Sequence, residues 1–445
     1  MKFIIKLVRF YLLLVIARLI KLAITMTNQS SGTSFIGMIM LKLYPDFLRH
    51  TSKYIKKEKI AVTGTNGKTT TAGILSHILE TQGNSVIHNE KGANMLTGIA
   101  NTMALSIYPF KRFDYTVLES DEAYLSKLYD YLDTNYLIVT NLFRDQLDRY
   151  GELNTTAKKI QEAINKNPNI KLILNADDPI VVNFQTLGDS EEPPIYFGFE
   201  DIEFMEKDIE SKAPMELFNC SQCGAVLKYS KRFYAQQGHY YCDCGYTRPI
   251  CNYVASAKIY NNYSIIKIMH DNKEYELKTY LTGVYNAYNV LAASVMALEL
   301  GYEDLQEALN TYQSVFGRCE TKVIKGHKAI IQLIKNPTGA SEVLKTVNPD
   351  NDILIVINDN YADGRDVSWL WDADFELLKG ASKRIITSGV RAYDMAVRLK
   401  YAGINNVRVI PNINQAILAI TREAEGDITI LPTYTALLEI NKIKR

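Results

Sequence analysis

Residues Gly64-Thr65-Asn66-Gly67-Lys68-Thr69-Thr70 sit between an apolar run of strand length, 59–63 (KIAVT), and a helical pattern over about 69–81. No other segment restricts the possible folds as much. A strand that turns through small residues into a helix gathers backbone N–H groups around an anion, and the helix N-terminus adds a positive dipole. Gly64, Thr65, Asn66, Gly67, Lys68, Thr69 and Thr70 therefore read as a cradle for the phosphates of ATP. Lys68 would reach the β- and γ-phosphates, and the hydroxyl of Thr69 or Thr70 would hold Mg²⁺. The match to the general G-x-x-x-x-G-K-[ST] pattern is partial, because Val62 occupies its first glycine position.

The surrounding pattern extends this unit into an α/β domain. Apolar runs at 59–63, 115–118, 136–140 and 171–174 read as buried strands, each followed by polar or glycine-rich residues and a helical segment. Such alternation predicts a parallel sheet. A second series, at 329–334, 353–358, 384–388, 407–410 and 428–431, predicts a separate, smaller α/β domain. Residues 253–282 alternate apolar and polar positions, as in a small antiparallel patch. The expected division is an N-terminal helix at 1–34, a central ATP-binding domain at 35–314 and a C-terminal domain at 315–445. The 445 residues suit about two or three domains. Lys+Arg number 50 and Asp+Glu 49, so no global positive field points to nucleic acid.

Residues 215–252 differ in composition and hold five of the six cysteines, as an insertion in the central domain would. Cys220-x2-Cys223-Gly224 is followed by Cys242-x-Cys244-Gly245. Two thiolate pairs on glycine turns suit a closed tetrahedral Zn²⁺ site, structural because no position stays open for water. The second pair is CxC rather than CxxC, and Cys251 is an alternative ligand. Clustered cysteines in a long chain fit a reducing cytosol better than a disulfide scaffold.

The first 25 residues are apolar and basic. Their longest uncharged run, 10–17, is far short of the roughly 20 residues that span a bilayer. The favoured reading is a helix packed on the domain. A basic amphipathic helix resting on the inner membrane surface is the second reading, and a true anchor the third.

GTNGKTT resembles the ATP-binding loop of the Mur ligase family, which includes folylpolyglutamate synthase, and further segments resemble the family in order. The resemblance implies an enzyme that phosphorylates a carboxylate and lets an amine attack the acyl phosphate. Leu118-Glu119-Ser120-Asp121-Glu122 resembles the acidic segment that holds Mg²⁺, with Glu119 the first choice and Asp121 and Glu122 alternatives. Thr140-Asn141-Leu142-Phe143-Arg144-Asp145-Gln146-Leu147-Asp148 resembles TNLxRDHLD, with Gln146 in place of the metal-binding His. Lys158 stands where many members carry a carbamylated Lys. Asn175, Asp177 and Asp178 in NADDP, Asn286 in GVYNAYN, and Arg318 in GRCE are implied to bind the nucleotide. Gly317 is implied to open the hinge to the C-terminal domain. Lys335 stands where many members carry the His of DYAH-x-P. It reads either as a phosphate or acidic-substrate ligand or as a structural loop residue.

The cysteine ribbon and the segment Asn358–Asp372 (NDNYADGRDVSWLWD) resemble one branch of that family. Its members are the ligase-like subunits that work with a GatD-type glutamine amidotransferase. The branch implies amidation of the α-carboxylate of D-glutamate in the lipid II stem peptide, with ammonia from the partner. It further implies that an Asp of the C-terminal domain completes the partner's Cys–His pair. Asp363 is the first candidate and Asp366 the second; the bland alternative is an acidic turn that caps a helix. No local Cys–His dyad suggests a glutaminase in this chain. The rival readings are a stand-alone amino-acid ligase and a phosphate-loop module without ligase chemistry.

Overall fold

The computed structural model describes residues 2–27, 34–143, 153–186, 193–205, 219–313, 318–380 and 384–443. The chain opens with helices α1 (Lys2–Thr27), α2 (Phe35–Leu43) and α3 (Phe47–Thr51). Phe10 of α1 is wholly buried and stacks on Phe47 at 5.4 Å and on Tyr54 at 5.6 Å. Together with Leu13, Leu14 and Ala17 it shares a core with Ala61 and Leu118 of the sheet. The helix thus packs on the domain, and among the described residues no helix is long and apolar enough to cross a membrane.

The phosphate-loop strand β1 (Lys59–Thr63) leads into α4 (Lys68–Thr81), then β2 (Val86–His88), α5 (Leu96–Ser106) and β3 (Tyr115–Glu119). The chain continues through α6 (Leu125–Tyr129), β4 (Tyr136–Val139), α7 (Leu153–Lys166), β5 (Lys171–Asn175) and β6 (Ile195–Phe204). A ribbon, β7 (Lys228–Tyr234) with β8 (Gln237–Tyr241), precedes β9 (Tyr253–Ile259), β10 (Ser264–His270) and β11 (Lys273–Thr279). The nine-stranded sheet runs β11-β10-β9-β6-β5-β4-β1-β3-β2. All pairs from β9 to β2 are parallel. The alternating segment at 253–282 is therefore not a separate patch: β9 pairs with β6 and carries the antiparallel strands as an extension of the main sheet.

Strand β1 lies between β4 and β3, where the strand order reverses, so its carboxyl end opens into the crevice at which such sheets bind ligands. Ile60, Val62, Ile74, Leu75 and Ile78 fix α4 against the sheet, and each such fully buried side chain contributes about 1.5–3 kcal/mol. Helix α8 (Val284–Glu299) packs beside α4 in the same core. Its alanines 287, 292, 293 and 297 are buried, and their small side chains permit close approach. A short helix, α9 (Gln306–Thr311), follows.

The second sheet contains β12 (Arg318–Ile324), β13 (His327–Gln332), β14 (Asp352–Val356), β15 (Ile385–Ser388), β16 (Val407–Val409) and β17 (Ile428–Pro432). Its order is β12-β13-β17-β14-β15-β16, parallel except for the β12–β13 hairpin. Helices α10 (Pro337–Thr346), α11 (Trp369–Asp372), α12 (Ala392–Tyr401), α13 (Ile413–Glu423) and α14 (Tyr434–Ile440) complete this part.

Candidate active site and metal centre

The loop after β1 takes a conformation that its glycines permit. Gly67 has φ +87°, and a Cβ there would lie 2.0 Å from Asn289 Oδ1. Gly64 has φ +125°, and a Cβ would lie 2.3 Å from Thr140 Oγ1. Side chains from β4's end brace the loop: Asn66 N donates to Asn141 Oδ1 at 2.9 Å, and Thr140 Oγ1 donates to Asn66 O at 2.8 Å. The TNL segment therefore buttresses the phosphate loop.

Lys68 is buried, with Nζ 3.1 Å from Glu122 Oε1 and 3.2 Å from Thr65 O. Burial pushes the Glu122 carboxyl above its ordinary range, while Lys68 pulls it down. Thr69 Oγ1 donates to Glu119 Oε2 at 2.8 Å, and Asn94 Nδ2 donates to Glu119 Oε1 at 2.9 Å. Thr69 and Glu119 are thus brought together, and their oxygens form the hard donor set that Mg²⁺ takes. Asp121 Oδ1 instead accepts from Ala123 N at 3.0 Å.

A cleft of about 680 Å³, counted out to its open mouth, separates this loop from the C-terminal domain. Asn66, Gly67 and Thr70 line one wall, Asn286 and Asn289 of α8 another, and Lys335 and Glu342 the wall from the second sheet. Lys335 Nζ reaches Thr65 O at 3.3 Å. Asn336 Nδ2 donates to Asn66 Oδ1 at 3.0 Å, while Asn336 Oδ1 accepts from Gly339 N and caps α10. Burial raises the Glu342 carboxyl, opposed by Lys345 at 2.5 Å.

The NADDP residues stand apart from this cleft. Asn175 Nδ2 donates to Thr140 O at 2.9 Å, so it holds β5 to the buttressing segment. Asp177 is wholly buried and accepts from Arg248 Nε at 2.5 Å, Tyr288 Oη at 2.7 Å and Phe199 N at 2.8 Å. Asp178 accepts from the backbone N–H groups of Leu142, Ile180 and Val181. Neither carboxylate lines the cleft between the two sheets. Lys158 is exposed on α7. Gln146, Gly317 and the side chain of Arg318 lie outside the described residues.

Cys220, Cys223, Cys242 and Cys244 bring their sulfurs within 4.8 Å of one another, with 3.7 Å from Cys220 to Cys244 and 3.5 Å from Cys223 to Cys242. A tetrahedron with Zn–S bonds of about 2.3 Å has edges of about 3.8 Å, so the donor set fits Zn²⁺. Gly224 and Gly245, at φ +75° and +95°, make the turn after each pair. Cys251 is outside this cluster, and burial pushes its thiol up to about 12. The ribbon is fastened to the segment that braces the phosphate loop: Gln236 Nε2 donates to Leu142 O at 2.6 Å. Arg248, just beyond the ribbon, supplies the charge beside Asp177.

In the second sheet β14 lies between β17 and β15. The loop after β14 carries Asp363, whose Oδ1 accepts from Thr435 N at 2.7 Å and whose Oδ2 accepts from Asn360 N at 3.1 Å and from Thr435 Oγ1. Burial raises this carboxyl, and the Thr435 hydrogen bonds oppose the rise. Asp366 Oδ1 accepts from Ser368 N at 2.8 Å, at the start of α11. Asp359 receives Arg391 Nη2 at 2.7 Å and Nε at 3.0 Å. From Arg391 onward α12 shows an apolar stripe, with Tyr393, Val397 and Tyr401 exposed and Trp371 edge-on to Tyr401 at 5.4 Å.

Sequence reasoning singled out the loop, Glu119 and the cysteines but passed over Asn289, Asn336 and Glu342. Asn289 could have been found from its place in the GVYNAYN segment. Asn336 meets the phosphate loop, and Glu342 the cleft, only across the two domains, which no local pattern reveals.

Two family profiles match this chain. One, described as Mur ligase middle domain, covers residues 62–236, and the other, described as MurT ligase C-terminal, covers 333–437. The lipid II isoglutaminyl synthase (glutamine-hydrolyzing) subunit MurT of Streptococcus pneumoniae is 36% identical over 430 residues, which is 93% of this chain and 92% of the relative. The protein of the same description from Staphylococcus aureus is 34% identical over 412 residues, covering 91% of each. Among solved structures, a pseudomurein peptide ligase type C from Methanothermus fervidus superimposes with a TM-score of 0.66 at 23% identity, over 91% of this chain and 84% of that one.

Proposed function

The chain belongs to the MurT family of Mur-type ligases, and we propose that it is the ATP-consuming subunit of a lipid II isoglutaminyl synthase. The observation that carries this reading is the pairing of two sites: a phosphate loop facing a cleft, and a buried carboxylate, Asp363, on the loop whose Asp359 pairs with Arg391 at the head of the exposed stripe of α12. The loop's N–H groups and Lys68 hold the phosphates of ATP, and Asn286 and Arg318 are assigned to the nucleotide. Thr69 and Glu119 would hold Mg²⁺, which supplies charge compensation for the transferring phosphoryl group. Lys335 extends a further positive charge from the C-terminal domain toward the loop.

A carboxylate is a poor electrophile, so the reaction begins by giving it a leaving group. An oxygen of the D-glutamate α-carboxylate forms a bond to the γ-phosphorus while the bond to ADP breaks. The ammonia lone pair then attacks the acyl carbon, phosphate departs, and a proton is lost to give D-isoglutamine. The four-cysteine cluster binds Zn²⁺ as a structural staple. Burial raises the Cys251 thiol, which disfavours a thiolate there. In this reading ammonia comes from a GatD-type glutaminase, docked on the stripe of α12. Asp363 orients the catalytic His of that subunit, and Asp366 keeps the loop in place by a local turn onto Ser368 N. The setting is cytoplasmic, where the lipid-linked substrate is presented at the membrane face.

The test is amidation of lipid II by the chain co-purified with its glutaminase, with either glutamine or ammonium as nitrogen source. Asp363→Asn should lose glutamine-dependent amidation and keep the ammonium-dependent reaction. Loss with both sources would remove Asp363 from the glutaminase half. Addition of an amino acid by the chain alone would overturn the assignment in favour of a stand-alone ligase.

A further inference from the structure

Helix α1 is apolar on two opposite sides. Phe10, Leu13, Leu14 and Ala17 face the core, whereas Val8, Leu12, Val15, Leu19, Leu22 and Met26 are each more than half exposed. These six recur at steps of four and three, so they form one straight stripe about 27 Å long. Scattered surface hydrophobics are ordinary, but a continuous row of this length marks an interaction site. The helix cannot turn the stripe inward. Its other side is held by the stacking of Phe10 on His50 at 4.3 Å, and Arg9 and Arg18 tie it to the carbonyls of Leu43 and Ile107.

The charge is one-signed. Residues 1–45 contain six Lys or Arg and no Asp or Glu. Arg9 and Arg18 lie about a quarter-turn to either side of the stripe. A second element lies beside α1. In the loop after α5, Phe110 is 98% exposed at φ +65°, next to Lys111 and Arg112. Arg18 joins the two, because its guanidinium lies 4.2 Å from the Tyr108 ring centroid. A bulky side chain in the left-handed region is an outlier, and here it holds an aromatic ring in water just before two exposed cations.

We infer that α1 and the loop at 107–112 dock in plane on an anionic phospholipid bilayer. The stripe lies at the headgroup boundary, Phe110 inserts as a wedge, and the cations meet lipid phosphates. A second copy of the chain is a poorer occupant, since two such helices would align positive charges with no acid to pair them. The inference goes beyond the ligase reading and does not depend on it.

The experiment sediments the full-length chain, with its co-purified glutaminase, in the presence of phosphatidylglycerol–phosphatidylcholine vesicles or phosphatidylcholine vesicles alone. Binding should require phosphatidylglycerol and weaken as salt rises. The double variant Leu12→Gln, Leu19→Gln and the separate variant Phe110→Ser should each weaken it by at least about tenfold, with thermal unfolding unchanged. Should the double variant fold poorly, Phe110→Ser, in an exposed loop, still decides. Absence of binding, equal binding to phosphatidylcholine alone, or variants as tight as the parent would overturn the inference. So would loss of self-association in the variants without any vesicle binding, which would assign the stripe to a second copy. These vesicles carry no lipid-linked substrate and the assay uses no ATP, so failure here leaves the ligase reading intact.

Discussion

Lys68 and Glu122 form an ion pair of 3.1 Å in which both side chains are almost wholly buried. Removing one partner strands the other. Lys68→Met should therefore lower unfolding free energy by about 3–5 kcal/mol, measured in urea. Adding Glu122→Gln should recover most of that stability. ATP turnover should stay down by at least about a thousandfold in both variants, because no cation replaces Lys68 at the phosphates. If the double variant regained turnover, Lys68 would be structural only.

The cysteine cluster should hold one zinc per chain by elemental analysis. Cys244→Ser or a strong chelator should remove it and lower the melting temperature by roughly 5 °C or more. Cys251→Ser should keep the metal, because its sulfur lies outside the four-thiolate cluster. Since Gln236 donates to Leu142 O beside the loop-bracing Asn141, zinc loss should also raise KM for ATP.

Burial raises the Asp178 carboxyl to about 6, even though backbone N–H groups of Leu142, Ile180 and Val181 oppose the rise. The folded state then keeps a proton that the unfolded chain, titrating near 4, has lost. Stability from this group is fully present below pH about 4, falls as pH rises to about 6, and is flat above, by about 3 kcal/mol in total. Asp178→Asn should flatten that slope in pH-dependent urea melts. It should also destabilise the fold by about 1–3 kcal/mol, since an amide offers one acceptor where three N–H groups converge.

Tyr393→Asp and Val397→Asp place charge in the exposed stripe of α12, beside the Arg391–Asp359 pair. Each should weaken capture of the glutaminase by roughly 2 kcal/mol or more in a pull-down titration. Ammonium-dependent amidation should be unchanged. A variant that lost both would point to misfolding rather than to the interface.

The strands at 59–63, 136–139 and 171–175 were legible because strands buried on both faces read as unbroken apolar runs. Val86–His88 has only three residues, too few for any period. Ile195–Phe204 carries Glu200, Asp201 and Glu203 on its less buried side, which hid it among loops. The cysteines and the phosphate loop declared themselves because their chemistry depends on spacing within a few residues. The buried ion pair of Asp177 did not: its partners Tyr288 and Arg248 are 111 and 71 residues away, so no local pattern marks it. Asp363 likewise depends on Thr435, brought next to it only where β14 and β17 become neighbours.

The reciprocal amides of Asn66 and Asn336 join residues 270 positions apart, one in the phosphate loop and one at the start of α10. Neutral hydrogen bonds of this kind are worth about 1 kcal/mol each, so thermal motion undoes the clasp easily and remakes it as easily. The phosphate loop is thereby joined to the C-terminal domain through a contact that holds without locking. The two walls of the cleft can part and meet again at small energetic cost, as a latch does rather than a rivet.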